Sequence, residues 1–374
     1  MTTTTATPTT ATPTTARPEG QTILPATDEL PRHSEASAVQ LADGSVLLLW
    51  CEFAGPSDNH GSRIAGLLSR DGGETWDAAS RRIVVENTAG LNVMSPAIRR
   101  LAGGDLGMVY SHRESTRSAS RLFVRSADEG QTWSAPVRLP QEEPYQTGCH
   151  DRLTVLAGGR LVAPLHCTED WDAHHLAVRA AWSDDEGASW RLSAPLALPN
   201  VSDSGESGCI EPDVAQRADG SLLMAIRTAM GTIFRAESHD GGETWTGLRS
   251  MEVIAPVAPS LLRRVPGSDD LLLIWNWHYD WRERLGGTRR PLACAISQDG
   301  GESWPPSRRK VLEDDPALTY AYPSCLFLDG AALVTYHVTP ERTGTAGQGQ
   351  AASTPFAHTR SLRAMRLPME WIYA

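Results

Sequence analysis

Arginines, carboxylates, histidines and a tyrosine pair stand at matching places along this chain. One set lies where strands should begin: Arg32, His33 and Glu35; Asn92 and Ser95; His150, Asp151 and Arg152; Glu211 and Asp213; Ser260; Tyr320 and Tyr322. A second set lies where strands should end and loops follow: Glu52, Asp58 and His60; His112, Arg113 and Glu114; His166; Arg227; Trp277, His278 and Trp281; His337. Arg289 and Arg290 open one further strand. Arginine forks bind a carboxylate through two parallel hydrogen bonds and stay charged at any working pH. A glutamate can polarise a tyrosine hydroxyl into a nucleophile. An aspartate with a raised pKa can protonate a glycosidic oxygen. Together these groups would cleave an acidic sugar, with a phenol in place of the usual carboxylate nucleophile. The reason is electrostatic. A carboxylate nucleophile would be repelled by an anomeric carbon bearing its own carboxylate, whereas a neutral Tyr–Glu pair would not.

Such residues are far apart in sequence, so a repeated frame must gather them. Five octapeptides supply it: SRDGGETW (69–76), SADEGQTW (126–133), SDDEGASW (183–190), SHDGGETW (238–245) and SQDGGESW (297–304). Their tryptophans lie 57, 57, 55 and 59 residues apart, which marks a repeat architecture. Asp-Gly-Gly or Asp-Glu-Gly is turn chemistry: a carboxylate to accept backbone N–H groups, and glycine for positive φ. A strand-like run precedes each copy (63–68, 122–125, 176–182, 232–236, 292–296). Upstream of each lies a turn and a second apolar strand (42–50, 103–110, 158–164, 218–227, 268–275), with a sixth such signal at 329–336 and no octapeptide after it. Each unit reads as four antiparallel strands. The fold class expected is all-β, a six-bladed β-propeller of four-stranded antiparallel blades over residues 29–374. Octapeptide turns then share one face, and the polar sets above share the other, where long loops converge. The octapeptide aspartates (71, 128, 185, 240, 299) read as structural.

Composition narrows the partners. Net charge is −11, which disfavours nucleic acid, since phosphate binding needs basic patches. An acidic carbohydrate remains compatible through a local arginine cluster. No run of 18 apolar residues suggests a membrane span. The six cysteines (51, 149, 167, 209, 294, 325) have no CxxC spacing and read as buried thiols. No HExxH-type spacing calls for a metal, and the adjacent His174 and His175 do not supply one, so neither metal nor cofactor is expected. Residues 1–28 read as a disordered Thr/Ala/Pro-rich tail. It lacks a basic segment followed by an apolar one, so a cytoplasmic location is the default, with secretion left open. Oligomeric state is not legible.

The octapeptide resembles the Asp box of the sialidase-like family, and the chain resembles exo-α-sialidases from about residue 30 to its end. Residues 211–227, EPDVAQRADGSLLMAIR, are similar to a family segment that a Glu opens and an Arg closes. The resemblance implies that Glu211 partners the nucleophile and that Arg227 binds the substrate carboxylate. Residues 290–301 resemble the segment bearing another such arginine, which implies Arg290. YAYPSCL (320–326) resembles the nucleophile segment, implying Tyr322, with Tyr320 in reserve. SDNHGSRI (57–64) resembles the loop that supplies the acid, implying Asp58. The family's Arg-Ile-Pro opening has no match. Its arginine position, counted back from the Gly44 turn, falls on Ser34 in LPRHSEASAV (30–39), and a bulge would return Arg32 to the site.

The expected substrate-binding set is therefore Arg32, His33, Glu35, His60, His150, Asp151, Arg152, Arg227, Arg290, Tyr320 and Trp277, around catalytic Asp58, Glu211 and Tyr322. Two other functions use the same face. One is a lyase on a uronic-acid glycan, with His150 or Tyr322 moving protons. The other is a non-catalytic glycan-binding module with Trp277 and Trp281 stacking on sugars.

Overall fold

A computed structural model describes residues 17–88, 90–199, 207–341 and 359–374. Regular structure in these residues is almost all β-strand, as expected. The first sheet runs Arg32–Gln40, Val46–Phe53, Ser62–Ser69, Asp77–Val85, each strand antiparallel to the next. Two later sheets repeat this order: Ile210–Gln216, Leu222–Arg227, Thr232–Ser238, Thr246–Ile254, and then Leu261–Arg264, Leu271–Asn276, Leu292–Ser297, Arg309–Glu313. Each strand that the apolar runs predict is present, and each octapeptide follows the third strand of its unit.

Two departures have physical causes. The second and third units form one ten-stranded sheet instead of two separate ones. The short strand Tyr145–Thr147 pairs with Leu161–Thr168 and also meets Ala119 of the preceding unit, joining them. The last sheet runs Leu318–Leu328, Ala331–Pro340, Ser361–Pro368, and takes its outer strand from Gln21–Leu24, inside the stretch expected to be tail. This unit has no octapeptide, and among the described residues no strand follows Ser361–Pro368. Gln21–Leu24 satisfies the row of N–H and C=O groups that the edge of Ser361–Pro368 would otherwise expose.

The core lies between sheets. Six apolar clusters occupy the successive junctions, and one of them packs Trp50, Leu48 and Ala65 of the first sheet against Leu333, Leu362 and Ala364 of the last. The octapeptide turns reinforce the same junctions. In the first copy the Asp71 carboxylate accepts from the Thr75 amide at 2.9 Å and from its hydroxyl at 2.5 Å, while the Ser69 hydroxyl accepts from the Gly73 amide at 2.8 Å. Gly73 has φ 90°, and a Cβ there would lie 2.7 Å from Leu333 of the last sheet. Gly187 repeats this against Phe123 of the unit before it, at 2.1 Å. The turn glycine is thus required twice, for its backbone conformation and for close approach to the preceding unit.

The first strands of the units carry the feature that builds the site. Pairing slips between Ser34 and Ser37, Met94 and Ala97, Ile210 and Asp213, and Ala321 and Ser324. At each slip one residue has positive φ: Glu35, Ser95, Glu211 and Tyr322; Asp151 has it at the matching place in the third unit. A bulge of this kind re-aims a side chain that regular pleating would bury within its own sheet.

Phe123 is buried at one junction, edge-on to Trp190 with ring centroids 5.4 Å apart. Phe123→Ala should cost about 3–5 kcal/mol, read as a lower urea midpoint at unchanged m-value.

Candidate active site

The centre of the site is a hydrogen-bonded pair brought together by two of those bulges. The Tyr322 hydroxyl donates to Glu211 Oε1 at 3.0 Å, and Arg227 donates to Glu211 Oε2 at 2.5 Å. Burial alone would raise the Glu211 carboxyl. Arg227 outweighs it, with His166 and Arg289 adding to the effect, and Glu211 sits below the ordinary carboxylate range. Burial and the facing Glu211 charge push the Tyr322 phenol well above its usual value. Tyr322 is therefore a neutral phenol donating to an ionised carboxylate. Its ring is walled by His150 and His337, with centroids 5.5 and 5.3 Å away, and the Arg289 guanidinium lies 5.7 Å from its centre. Both imidazoles are held neutral: His150 is lowered to about 3 by burial and by Arg152, and His337 is lowered by burial and by Arg360, Arg32 and Arg289.

Arg32 and Asp58 form the other half. Arg32 is buried over the Phe53 ring, 3.9 Å from its centre. Its Nε donates to Ser34 Oγ at 2.9 Å, one terminal nitrogen donates to Glu35 at 2.7 Å, and the other is paired with Asp58. The bulge between Ser34 and Ser37 supplies the local irregularity that the missing Arg-Ile-Pro segment called for. Glu35 in turn accepts from Ser95 Oγ at 2.8 Å. The Asp58 loop is pinned from the second unit: Asn92 donates to the carbonyls of Asp58 and His60 at 2.7 and 2.9 Å, and Arg113 donates to the Asp58 carbonyl at 2.5 Å. The Asp58 side chain is half-exposed. Its carboxyl is not raised, as an acid was expected to be. Partial loss of hydration pushes it up, but Arg32, Arg360 and Arg113 together hold it far below the usual range.

Other expected residues lie elsewhere. Asp151 and Arg152 are fully buried and tie the first strands together. Asp151 accepts from Ser37 Oγ, Arg99 and Arg263 at 2.7 Å each, and from the Cys325 amide at 3.1 Å, so one carboxylate holds four units. Arg152 donates to the Ser260 carbonyl at 2.6 Å and pairs with Asp213 at 3.3 Å. Toward the octapeptide face, Arg99, Leu153, Val214, Arg263 and Cys325 line a cavity of about 590 Å³. Both ring nitrogens of His150 are engaged, one on Cys149 Sγ at 3.3 Å and one on the Tyr322 carbonyl at 3.0 Å. His33 is buried and accepts from Trp50 Nε1 at 3.1 Å. Tyr320 is core: its hydroxyl accepts from the Asp315 amide at 3.1 Å and its ring meets Tyr336 edge-on. Trp277 packs against the cluster between the fourth and fifth units, beside Arg309. His60 is exposed and folds back on Ser57. The described contacts put Arg289 on the tyrosine, and none puts Arg290 there.

Arg289, His337 and Arg113 were named from sequence but not in the expected set, and two further groups at the site, Arg360 and Tyr145, were not named at all. Arg360 precedes the strand Ser361–Pro368 and is buried beside Arg32. Tyr145 carries Trp171 on its ring at 4.2 Å and faces Arg113, Asp58 and Glu211. A partial signal did exist for the bulges. Proline follows Ser95, Glu211 and Tyr322, and proline is tolerated in an inner strand only where a ladder N–H is not needed.

Residues 79–334 match the model of the BNR repeat-like domain. The chain belongs to that family. It is 25% identical over 232 residues to a sialidase of Bacteroides fragilis, covering 59% of this chain and 38% of the relative, so it spans well under half of that protein. In fold it is similar to a variant of the NanB sialidase of Streptococcus pneumoniae, with TM-score 0.72 and 13% identity over 94% of this chain and 71% of the other. It is also similar to a Trypanosoma rangeli sialidase variant displaying trans-sialidase activity, with TM-score 0.67 and 18% identity over 95% and 58%. A protein of unknown function from Dyadobacter fermentans matches at TM-score 0.72 and 18% identity over 94% and 98%. The fold is thus that of sialidases, which are propellers.

Removing the Asp151 charge should be severe, because Arg99 and Arg263 would be left buried and under-compensated. Asp151→Asn should lose about 3–5 kcal/mol in urea unfolding at neutral pH. Burial pushes the Asp151 carboxyl up, but Arg99 and Arg263 hold it far below its ordinary value. Its contribution is therefore complete above about pH 4 and is lost as pH falls below that. Stability should decline on acidification more steeply in the wild type than in the variant.

Proposed function

We propose that this chain is an exo-acting glycoside hydrolase of the sialidase type, built on a six-bladed propeller, that releases a terminal sialic acid or related acidic sugar with retention. The observation that carries the reading is the Tyr322–Glu211–Arg227 relay, at 3.0 and 2.5 Å. A phenol donating to an ionised, arginine-anchored carboxylate can attack as its proton leaves. The Tyr322 oxygen bonds to the anomeric carbon, its proton passes to Glu211, and the glycosidic C–O bond breaks. Asp58 gives its proton to the departing oxygen. In the second half Asp58 takes a proton from water, whose oxygen displaces the Tyr322 oxygen at the anomeric carbon. Glu211 then returns the proton to Tyr322.

Arg32, Arg227 and Arg289 come from three units and surround the reacting pair, which suits a substrate carboxylate. Arg289 takes the role first given to Arg290. A lyase that uses His150 to move protons gains no support, because both of its nitrogens are engaged within the protein.

The test is release of fluorophore from 4-methylumbelliferyl sialic acid, with other acidic aryl glycosides alongside. Tyr322→Phe and Glu211→Gln should each lower kcat by roughly 10²–10⁴-fold while the protein stays folded. Lack of release from every acidic aryl glycoside by a folded wild type would sink the hydrolase reading. Appearance of an unsaturated, ultraviolet-absorbing sugar from a uronic-acid glycan would replace it with the lyase.

A further inference from the structure

Arg360 is tied to Arg32 by backbone pairing. Its amide donates to the Pro31 carbonyl and its carbonyl accepts from the His33 amide, both at 2.8 Å, making a parallel bridge between the two arginines. Partners in such a bridge send their side chains to the same side. Both are buried, at 1% and 3% exposure, so two guanidinium groups share one poorly hydrated place. Arg360 is lowered to about 9 by burial and by the charge of Arg32.

Asp58 lies over this pair. Arg32 spends Nε on Ser34 and one terminal nitrogen on Glu35, and Phe53 covers a face of its plane. The remaining terminal nitrogen reaches Asp58, whose side chain is 47% exposed and forms the outward boundary of the pair. The charged and titratable groups facing Asp58 are Arg32, Arg360, Arg113, Glu35, Tyr322 and Tyr145. A general acid must carry a proton, and a carboxyl held against two arginines does not.

We propose that the Arg32–Arg360 pair seats the substrate carboxylate, that Asp58 competes for the same seat, and that the entering sugar displaces Asp58, which then takes from solvent the proton it later donates. This rests on the acidic-sugar hydrolase reading and adds two things to it: Arg360 as a substrate-binding residue, and proton uptake coupled to binding. A neutral sugar could not displace Asp58 and would leave the acid unprotonated. The pocket therefore selects for an anionic substrate in turnover as well as in affinity.

The experiment is calorimetric titration of the full chain with the sialidase inhibitor DANA, in two buffers of different ionisation heat. Near pH 5 the wild type should take up about one proton per ligand. Asp58→Asn should bind more tightly with no uptake. Arg360→Gln, its fold checked by circular dichroism, should bind roughly ten- to a hundredfold more weakly. The proton count in the wild type does not depend on either variant folding. Binding of DANA without uptake would overturn the shared seat and leave the hydrolase reading standing. Persistence of uptake in Asp58→Asn would also overturn it, and would assign the proton to Glu35. Failure of the wild type to bind DANA would overturn the hydrolase reading itself, and this inference with it.

Discussion

Everything at the site depends on a backbone conformation that side chains resist. Glu35, Ser95, Glu211 and Tyr322 have positive φ within their unit's first strand, and Asp151 has it at the matching place in the third unit. Such residues cost roughly 1–3 kcal/mol each and persist only where their surroundings over-determine them. Here the surroundings are each other. Tyr322 is held by Glu211, Glu35 by Arg32 and Ser95, and Asp151 by arginines from two further units. Without the bulges these side chains would follow the pleat of their own sheets. With them, one end of the molecule becomes a single polar cluster made of residues distant in sequence.

The electrostatics of that cluster divide by depth. The deepest layer is Asp151 with Arg99 and Arg263, and Asp213 with Arg152: charges balanced by one another, with a structural role. Above it the balance is looser. Arg32, Arg227, Arg289 and Arg360 come from different units, and imidazoles that burial and arginines keep neutral wall the tyrosine. Neutral histidines exclude water from the phenol without adding charge. An ionised carboxylate in this layer is therefore one that an arginine or a tyrosine requires.

Turn chemistry is local, which is why the octapeptides could be read directly and why they located both faces. Asp58, Glu211, Arg227 and Tyr322 were legible as positions relative to those turns. What sequence obscured was non-local or of uncertain register. Arg289 and Arg290 stand just before the strand Leu292–Ser297, where a one-residue slip reverses which side chain faces the site. Arg360 reaches Arg32 through a pairing between the two ends of the chain, which leaves no local signature. Tyr145 belongs to a three-residue strand outside the repeat, and Gln21–Leu24 is too short to stand out from its tail. Asp151 and Arg152 stand among the strand-start residues in sequence, but only packing revealed that they are buried against partners from other units.

In the proposed mechanism a bulge aims the Tyr322 oxygen at an anomeric carbon. The most direct measurement is covalent trapping with a fluorinated acidic sugar such as 2,3-difluoro-KDN, followed by peptide mass spectrometry. A single adduct is expected, on Tyr322, that hydrolyses slowly and does not form in Tyr322→Phe. An adduct on Glu211 or Asp58, or turnover with no adduct on Tyr322, would contradict the mechanism.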